Sequence, residues 1–142
     1  MFSASNLLAT LASFIILFFG GYLFYGILAA GFYESHTGSA TGIHKEQVNM
    51  AFIAVGCLIQ AIAMTSLFSK WANGDNSIAN GFKFGACVGL IVGFGKGLIM
   101  YVTANFLDLT AHIADGIFNI VFYGLTGVAI ALVINKTQVK EA

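Results

Sequence analysis

One charged side chain, that of Lys96, interrupts the stretch 84–107, which is otherwise largely apolar and about long enough to cross a bilayer as a helix. Insertion scales put a lysine at mid-membrane at about 2.5–3.5 kcal/mol, so an unpaired lysine facing lipid is not expected. Two roles are open for this side chain. It either forms a structural ion pair, with Asp115 as the expected partner directly or through water, or it contacts an ion or solute. In both roles the ammonium is expected on the interior of the protein.

Further polar side chains lie at a similar depth in the other predicted helices. At about 1.5 Å per residue, Tyr25, Lys96 and Asn119 lie roughly 10–12 Å below the outer ends of their helices, and Gln60 roughly 18 Å below. The last predicted helix also carries a polar stripe on one face, formed by His112, Asp115, Asn119, Tyr123 and Thr126. Helices that turn these faces inward would form a polar core or solute site in the outer half of the protein. Its predicted residues are Tyr25, Gln60, Lys96, Asp115, Asn119 and Tyr123.

The candidates for metal ligation are the three histidines, His36, His44 and His112. They lack the spacing of a metal motif such as H-x-x-x-H or H-E-x-x-H, so we expect solvated loop histidines, no bound metal and no cofactor. The sequence also lacks the G-x-S-x-G elbow of serine hydrolases, the phosphate-binding P-loop and the dinucleotide fingerprint. These features together favour a protein that is not an enzyme.

Glycine recurs at every fourth position of the stretch 81–101. On a helix this spacing drifts only about 40° per step, so the glycines form one smooth stripe, here called the glycine ladder. The ladder consists of Gly81, Gly85, Gly89, Gly93 and Gly97. Small residues at such spacing let helices approach closely in membranes, so the ladder predicts glycine-zipper packing within the chain or against a partner.

The composition places the whole chain in a membrane. Of its 142 residues, 58% are hydrophobic and 8% are charged, whereas about 25% of a soluble domain is charged. Four apolar stretches, 7–32, 47–68, 84–107 and 113–134, are predicted to span the bilayer, with short loops between them. The sequence therefore predicts an all-α, polytopic membrane protein, a bundle of four transmembrane helices forming a single domain over 1–142. The zero net charge and the lack of a basic patch exclude nucleic acid as a partner.

The distribution of lysines predicts the orientation of the chain. Lys70, Lys83, Lys136 and Lys140 fall on the side that holds both termini, and Lys45 alone falls on the other side. By the positive-inside rule both termini are cytoplasmic, and a bacterial inner membrane is the expected location.

Residues 21–26, with the sequence GYLFYG, and Tyr33 near the helix end resemble the first helix of a family of small bacterial four-helix membrane proteins. That family is a domain of unknown function. The pairs Asp115-Gly116 and Gly124-x-x-Gly127 are similar to its last helix, which starts with an aspartate and has glycines toward its end. The family has tryptophan where Phe24 stands and a proline after the motif that this chain lacks. The resemblance implies a four-span α-helical fold and no known reaction.

Two classes of function fit these features. The first is a non-enzymatic scaffold or accessory subunit that packs through the glycine ladder. The second is a small oligomeric channel or transporter for an ion or small solute, in which Lys96 and the polar stripe face the solute and a wet cavity favours anions. The expected partners are the lipid bilayer and a homo-oligomer or larger membrane complex. The surroundings of the Lys96 ammonium distinguish the two classes.

Overall fold

The computed structural model describes residues 3–42 and 47–141. The helices of these residues are α1 (Ala4–Leu28), α2 (Ala30–Ser35), α3 (Met50–Trp71), α4 (Ile78–Thr103) and α5 (Leu109–Glu141). Four of them, α1, α3, α4 and the Leu109–Thr137 part of α5, are long and apolar enough to cross a membrane. The described residues contain no strand, apart from one isolated bridge between Thr37 and Leu107. The predicted all-α fold with four spans is confirmed, and the protein is a small integral membrane protein.

Side-chain caps set where the helices begin. The Ser77 hydroxyl accepts a hydrogen bond from the Asn80 amide at 3.2 Å, so α4 starts at Ile78, ahead of the predicted start at 84. The Asp108 carboxylate accepts from the Ala111 amide at 2.9 Å and caps α5, which begins before the predicted 113. Polar residues in these first turns resemble a loop in sequence, although they satisfy amides that a helix start leaves free.

Two of the long helices contain π-helical stretches. These stretches are Ile16–Gly20 and Phe24–Leu28 in α1, and Leu90–Gly95 in α4. A π turn adds a residue to the helical repeat and rotates everything beyond it relative to a regular α-helix. Beyond Gly95, the side of α4 that is turned toward its neighbours therefore differs from the side that the glycine spacing alone predicts.

Four of the five ladder glycines pack against the backbone of α5. A Cβ atom added at Gly81, Gly85, Gly89 or Gly93 would overlap backbone atoms of α5, whereas one at Gly97 would meet only the His112 ring, at 3.6 Å. The facing positions on α5 are Gly116, Asn119, Ile120, Tyr123, Gly124 and Gly127. Helices α4 and α5 are thus in backbone contact along the ladder and separate beyond Gly93, after the π-helical stretch begins.

The apolar core lies at the end of the bundle that holds both termini. Helix α3 buries Ala61, Met64, Thr65 and Phe68, all in its C-terminal half, and none of its residues 50–60 is buried. Phe68 packs on Phe84 of α4, with ring centroids 5.5 Å apart. The bundle is therefore tight at this end and more open at the other.

Two loops pair at the opposite end, here called the paired-loop end. The Gly38 amide donates to the Phe106 carbonyl at 3.0 Å, and the Ala40 amide donates to the Asn105 carbonyl at 3.0 Å. The Asp108 amide donates to the His36 carbonyl at 2.9 Å. These bonds hold the 104–108 segment across the end of the bundle.

Candidate functional site

A cavity of about 510 Å³ lies at the paired-loop end, where α4 and α5 separate. Helix α5 contributes His112, Asp115 and Asn119, and α4 contributes Val92, Lys96, Gly97 and Met100. Tyr25 of α1 and the α2 residues Ala30, Tyr33 and Glu34 form the facing wall. Phe106 and Leu107, from the paired loop, complete the lining. The cavity exists because the ladder contact ends at Gly93 and the next glycine, Gly97, has no backbone to pack on.

The Asp115 carboxylate is the centre of a hydrogen-bond network on one wall. Its Oδ1 atom accepts from the Tyr25 hydroxyl at 2.6 Å and from the Tyr33 hydroxyl at 3.0 Å. Its Oδ2 atom accepts from the Asn119 side-chain amide at 3.0 Å. The three donors occupy acceptor positions on both carboxylate oxygens. The network ties α1 and α2 to α5.

Burial, together with the Asp115 charge and hydrogen bond, raises the pKa of the Tyr33 phenol above its ordinary value of 10.0. Because the folded-state pKa is the higher one, the stability that Tyr33 contributes is present below pH 10 and is lost as the pH rises through the folded-state pKa. We expect wild-type protein and Tyr33→Phe to give the same tyrosinate absorbance up to about pH 11, where a free phenol is largely ionised. After unfolding in denaturing detergent, the two should differ by one phenol that titrates near pH 10. A difference that titrates near pH 10 in the folded protein would contradict this.

Lys96 lines the same cavity as Asp115 and is exposed to it. Within residues 3–42 and 47–137, no acid lies within the 4.0 Å limit of an ion pair with its ammonium, and no hydrogen bond holds it. The predicted direct ion pair with Asp115 does not form. The two groups line one cavity, and the donors that contact the carboxylate are two phenols and an amide. The Lys96 cation stays available to a ligand.

His112 adds a second group without a protein partner. Its side chain is buried, with 5% exposed, and the Nε2 atom has no hydrogen-bond partner among the described residues. One ring edge packs against Tyr101, with centroids 6.0 Å apart. The ring lines the cavity, whereas the Nε2 atom is covered by protein, and leaving it unpaired there costs about 1–3 kcal/mol.

His36 does not join this site. His36 places its Nδ1 atom 3.0 Å from the Ser35 hydroxyl and 2.9 Å from the Phe32 carbonyl, and it packs on the Phe32 ring. His44 lies outside the described residues. Among the residues that the structure describes, no group of three or more His, Cys, Asp or Glu side chains could hold a metal ion.

The six residues of the predicted polar core fall into two places. Tyr25, Lys96, Asp115 and Asn119 line the cavity. Gln60 and Tyr123 form a separate contact, in which the Tyr123 hydroxyl donates to the Gln60 side-chain oxygen and links α3 to α5.

Sequence reasoning left Tyr33 and Glu34 out of the predicted core, although both line the cavity. They lie at the predicted end of the first span, and the break at Ala29, with φ −108° and ψ 2°, lets the short helix α2 carry them to the cavity wall. The sequence feature that could have identified these two residues is a tyrosine followed by an acid at the end of an apolar stretch.

No protein-family model matches the chain, and no curated protein or solved structure matches it either.

Proposed function

We propose that the protein binds an anionic ligand in the cavity beside Lys96 and is the binding unit of a small membrane channel or transporter. The observation that carries the proposal is the exposed Lys96 ammonium, which lines a 510 Å³ cavity and has no acid within 4.0 Å among the described side chains. Intramembrane cations are costly unless they are paired, so a ligand that supplies the negative charge stabilises the site. Asp115 could pair with Lys96 only by weakening the three hydrogen bonds that its oxygens already accept.

A scaffold or accessory subunit is the second candidate, and a different surface supports it. The ladder face of α4 is already occupied by α5, so it is not free for a partner. The first half of α3 instead presents Phe52, Val55 and Ile59, each more than half exposed, toward the membrane. A partner helix or a second copy of this chain would pack there, and oligomerisation through α3 is compatible with the ligand site.

We also propose that both termini are cytoplasmic and that the membrane is a bacterial inner membrane. The support is the lysine distribution: Lys70 and Lys83 are exposed at the end of the bundle opposite the cavity. In that orientation the cavity lies in the outer half of the bilayer. We also propose that the chain belongs to the small four-helix family that residues 21–26 and Tyr33 resemble.

Anion binding that depends on Lys96 tests the proposed function. Protein in phosphatidylcholine nanodiscs is heated with sodium chloride, inorganic phosphate or glycerol 3-phosphate at matched ionic strength, and flux of the same anions is measured from vesicles. We expect at least one anion to raise the unfolding temperature and to cross the vesicle membrane. Lys96→Met should bind the anion about tenfold more weakly, the scale of one charge-assisted contact, and both responses should weaken with it.

Lys83→Met is the matched control, because it removes a lysine from the opposite end of the same helix. It should respond to anions as the wild type does. Equal responses in Lys96→Met and the wild type would contradict anion binding at Lys96 and leave the scaffold as the better candidate.

A further inference from the structure

We infer that the ligand at Lys96 is an anionic amphiphile, a lipid with a singly charged phosphodiester headgroup, that enters the cavity sideways from the membrane. The inference rests on the proposed function and names the class of its ligand. It follows from where the cavity opens, from the depth of Lys96 and from the mixture of polar and apolar groups in the lining.

The paired loops cover the end of the cavity that faces the aqueous phase. Phe106 and Leu107 line the cavity there, and the Phe106 carbonyl is fixed by the Gly38 amide. A Cβ atom on Gly38 would overlap the Asn105 backbone, so the two loops are in close contact. A soluble ion would have to pass this covered end.

The side of the cavity is more open. Helices α1 and α4 both pack on α5, and neither packs extensively on the other. Tyr25 of α1 and Val92 of α4 flank the resulting gap and are 40% and 37% exposed. In a bilayer this gap faces acyl chains, so a lipid can reach the cavity without leaving the membrane.

The depth of Lys96 suits a lipid headgroup. Helix α4 has 26 residues and is about 39 Å long, which exceeds the roughly 30 Å hydrocarbon core of a bilayer. Lys96 is about 10 Å from the Thr103 end of the helix, which places its backbone a few ångströms inside the hydrocarbon boundary. The flexible lysine stem carries the ammonium to the boundary, where lipid phosphates lie.

The lining matches the two parts of such a molecule. Val92, Met100 and Ala30 provide apolar walls for an acyl chain. The exposed Lys96 ammonium provides the charged contact for a headgroup. Asp115 and Glu34 also line the cavity, and their negative charges disfavour a headgroup with more than one charge. Headgroup hydroxyls, such as those of glycerol, find acceptors in these carboxylates.

Lipid binding by the purified protein in neutral detergent tests the inference. Native mass spectrometry measures bound lipid during titration with phosphatidylglycerol or with phosphatidylcholine of the same acyl chains. We expect phosphatidylglycerol to bind about fivefold more tightly, the effect of one lysine on an anionic lipid. The preference should vanish in Lys96→Met and Lys96→Gln and persist in Lys83→Met. Far-ultraviolet circular dichroism and gel filtration establish that each variant is folded, and two substitutions keep the test valid if one does not fold.

A competition arm with glycerol 3-phosphate separates a lipid from a soluble ligand. An equal preference for phosphatidylglycerol in wild type and both Lys96 variants would overturn the inference, because it would reflect lipid around the whole protein. Binding of glycerol 3-phosphate that depends on Lys96, without a lipid preference, would overturn the amphiphile and leave the proposed anion site intact. No dependence on Lys96 for either molecule would overturn both proposals.

Discussion

Gly89→Leu is expected to prevent α4 and α5 from packing and to lower the free energy of unfolding by about 3 kcal/mol or more. Gly89 is buried against α5, and an added Cβ atom would overlap the Asn119 carbonyl and lie 2.7 Å from the Ile120 Cα atom. Both obstacles are backbone, so no side chain can rotate away. The helices would have to separate, and the neighbouring ladder contacts would be lost with them.

Matched glycines elsewhere in the chain control for the change of residue type. An added Cβ at Gly56 of α3 meets nothing within 4 Å, so Gly56→Leu should fold as the wild type does. Within α4, Gly95→Ala meets only the Leu90 carbonyl, at 3.8 Å, and should be tolerated, whereas Gly89→Ala should be destabilising. Thermal unfolding followed by gel filtration in detergent measures these differences. If Gly89→Leu unfolded at the same temperature as the Gly56→Leu control, the α4–α5 contact would not stabilise the fold.

The number of spans and the inward face of α4 could be predicted from the sequence because they depend on local patterns. Apolar length gives the spans, and the four-residue spacing of Gly81, Gly85, Gly89 and Gly93 gives the stripe that contacts α5. The ladder was expected to include Gly97 as well, and the π-helical stretch Leu90–Gly95 ends that contact. A π turn depends on tertiary packing, and the glycine spacing contains no signal for it.

Four of the six residues predicted for the polar core line the cavity, and the hydrogen bonds among them were not predicted. Depth along each helix brought Tyr25, Lys96 and Asn119 to one level, and all three line the cavity. Depth does not determine which donors reach a carboxylate, because that depends on how helices are rotated about their axes. Tyr33 reaches Asp115 through the break at Ala29, which the apolar pattern of the first span conceals.

Asp115→Ala is the second change for which we expect a large effect, a loss of about 2 kcal/mol in the free energy of unfolding. It removes the acceptor of the Tyr25 and Tyr33 hydroxyls and of the Asn119 amide. The Asn119 amide lies on α5 with Asp115 and also donates to the Asp115 backbone carbonyl at 2.7 Å, so the two tyrosine bonds carry most of the effect. Interhelical hydrogen bonds in membrane proteins contribute about 0.6 kcal/mol on average and up to about 1.7, so two lost bonds of above-average strength account for this value. Asp115→Asn keeps an acceptor oxygen for the phenols and should lose less than half as much.

A double-mutant cycle with Lys96→Met distinguishes this network from a Lys96–Asp115 ion pair. If the carboxylate chiefly neutralised Lys96, Asp115→Ala would leave an unpaired cation, and Lys96→Met would restore most of the lost stability. In the structure the lost partners are phenols and an amide, so Asp115→Ala should cost the same in both backgrounds, within about 0.5 kcal/mol. Lys96→Met alone should be neutral or stabilising. Unfolding in a sodium dodecyl sulfate titration gives the four free energies, and rescue of Asp115→Ala by Lys96→Met would show that the two charges are coupled and that Lys96 is not free for a ligand.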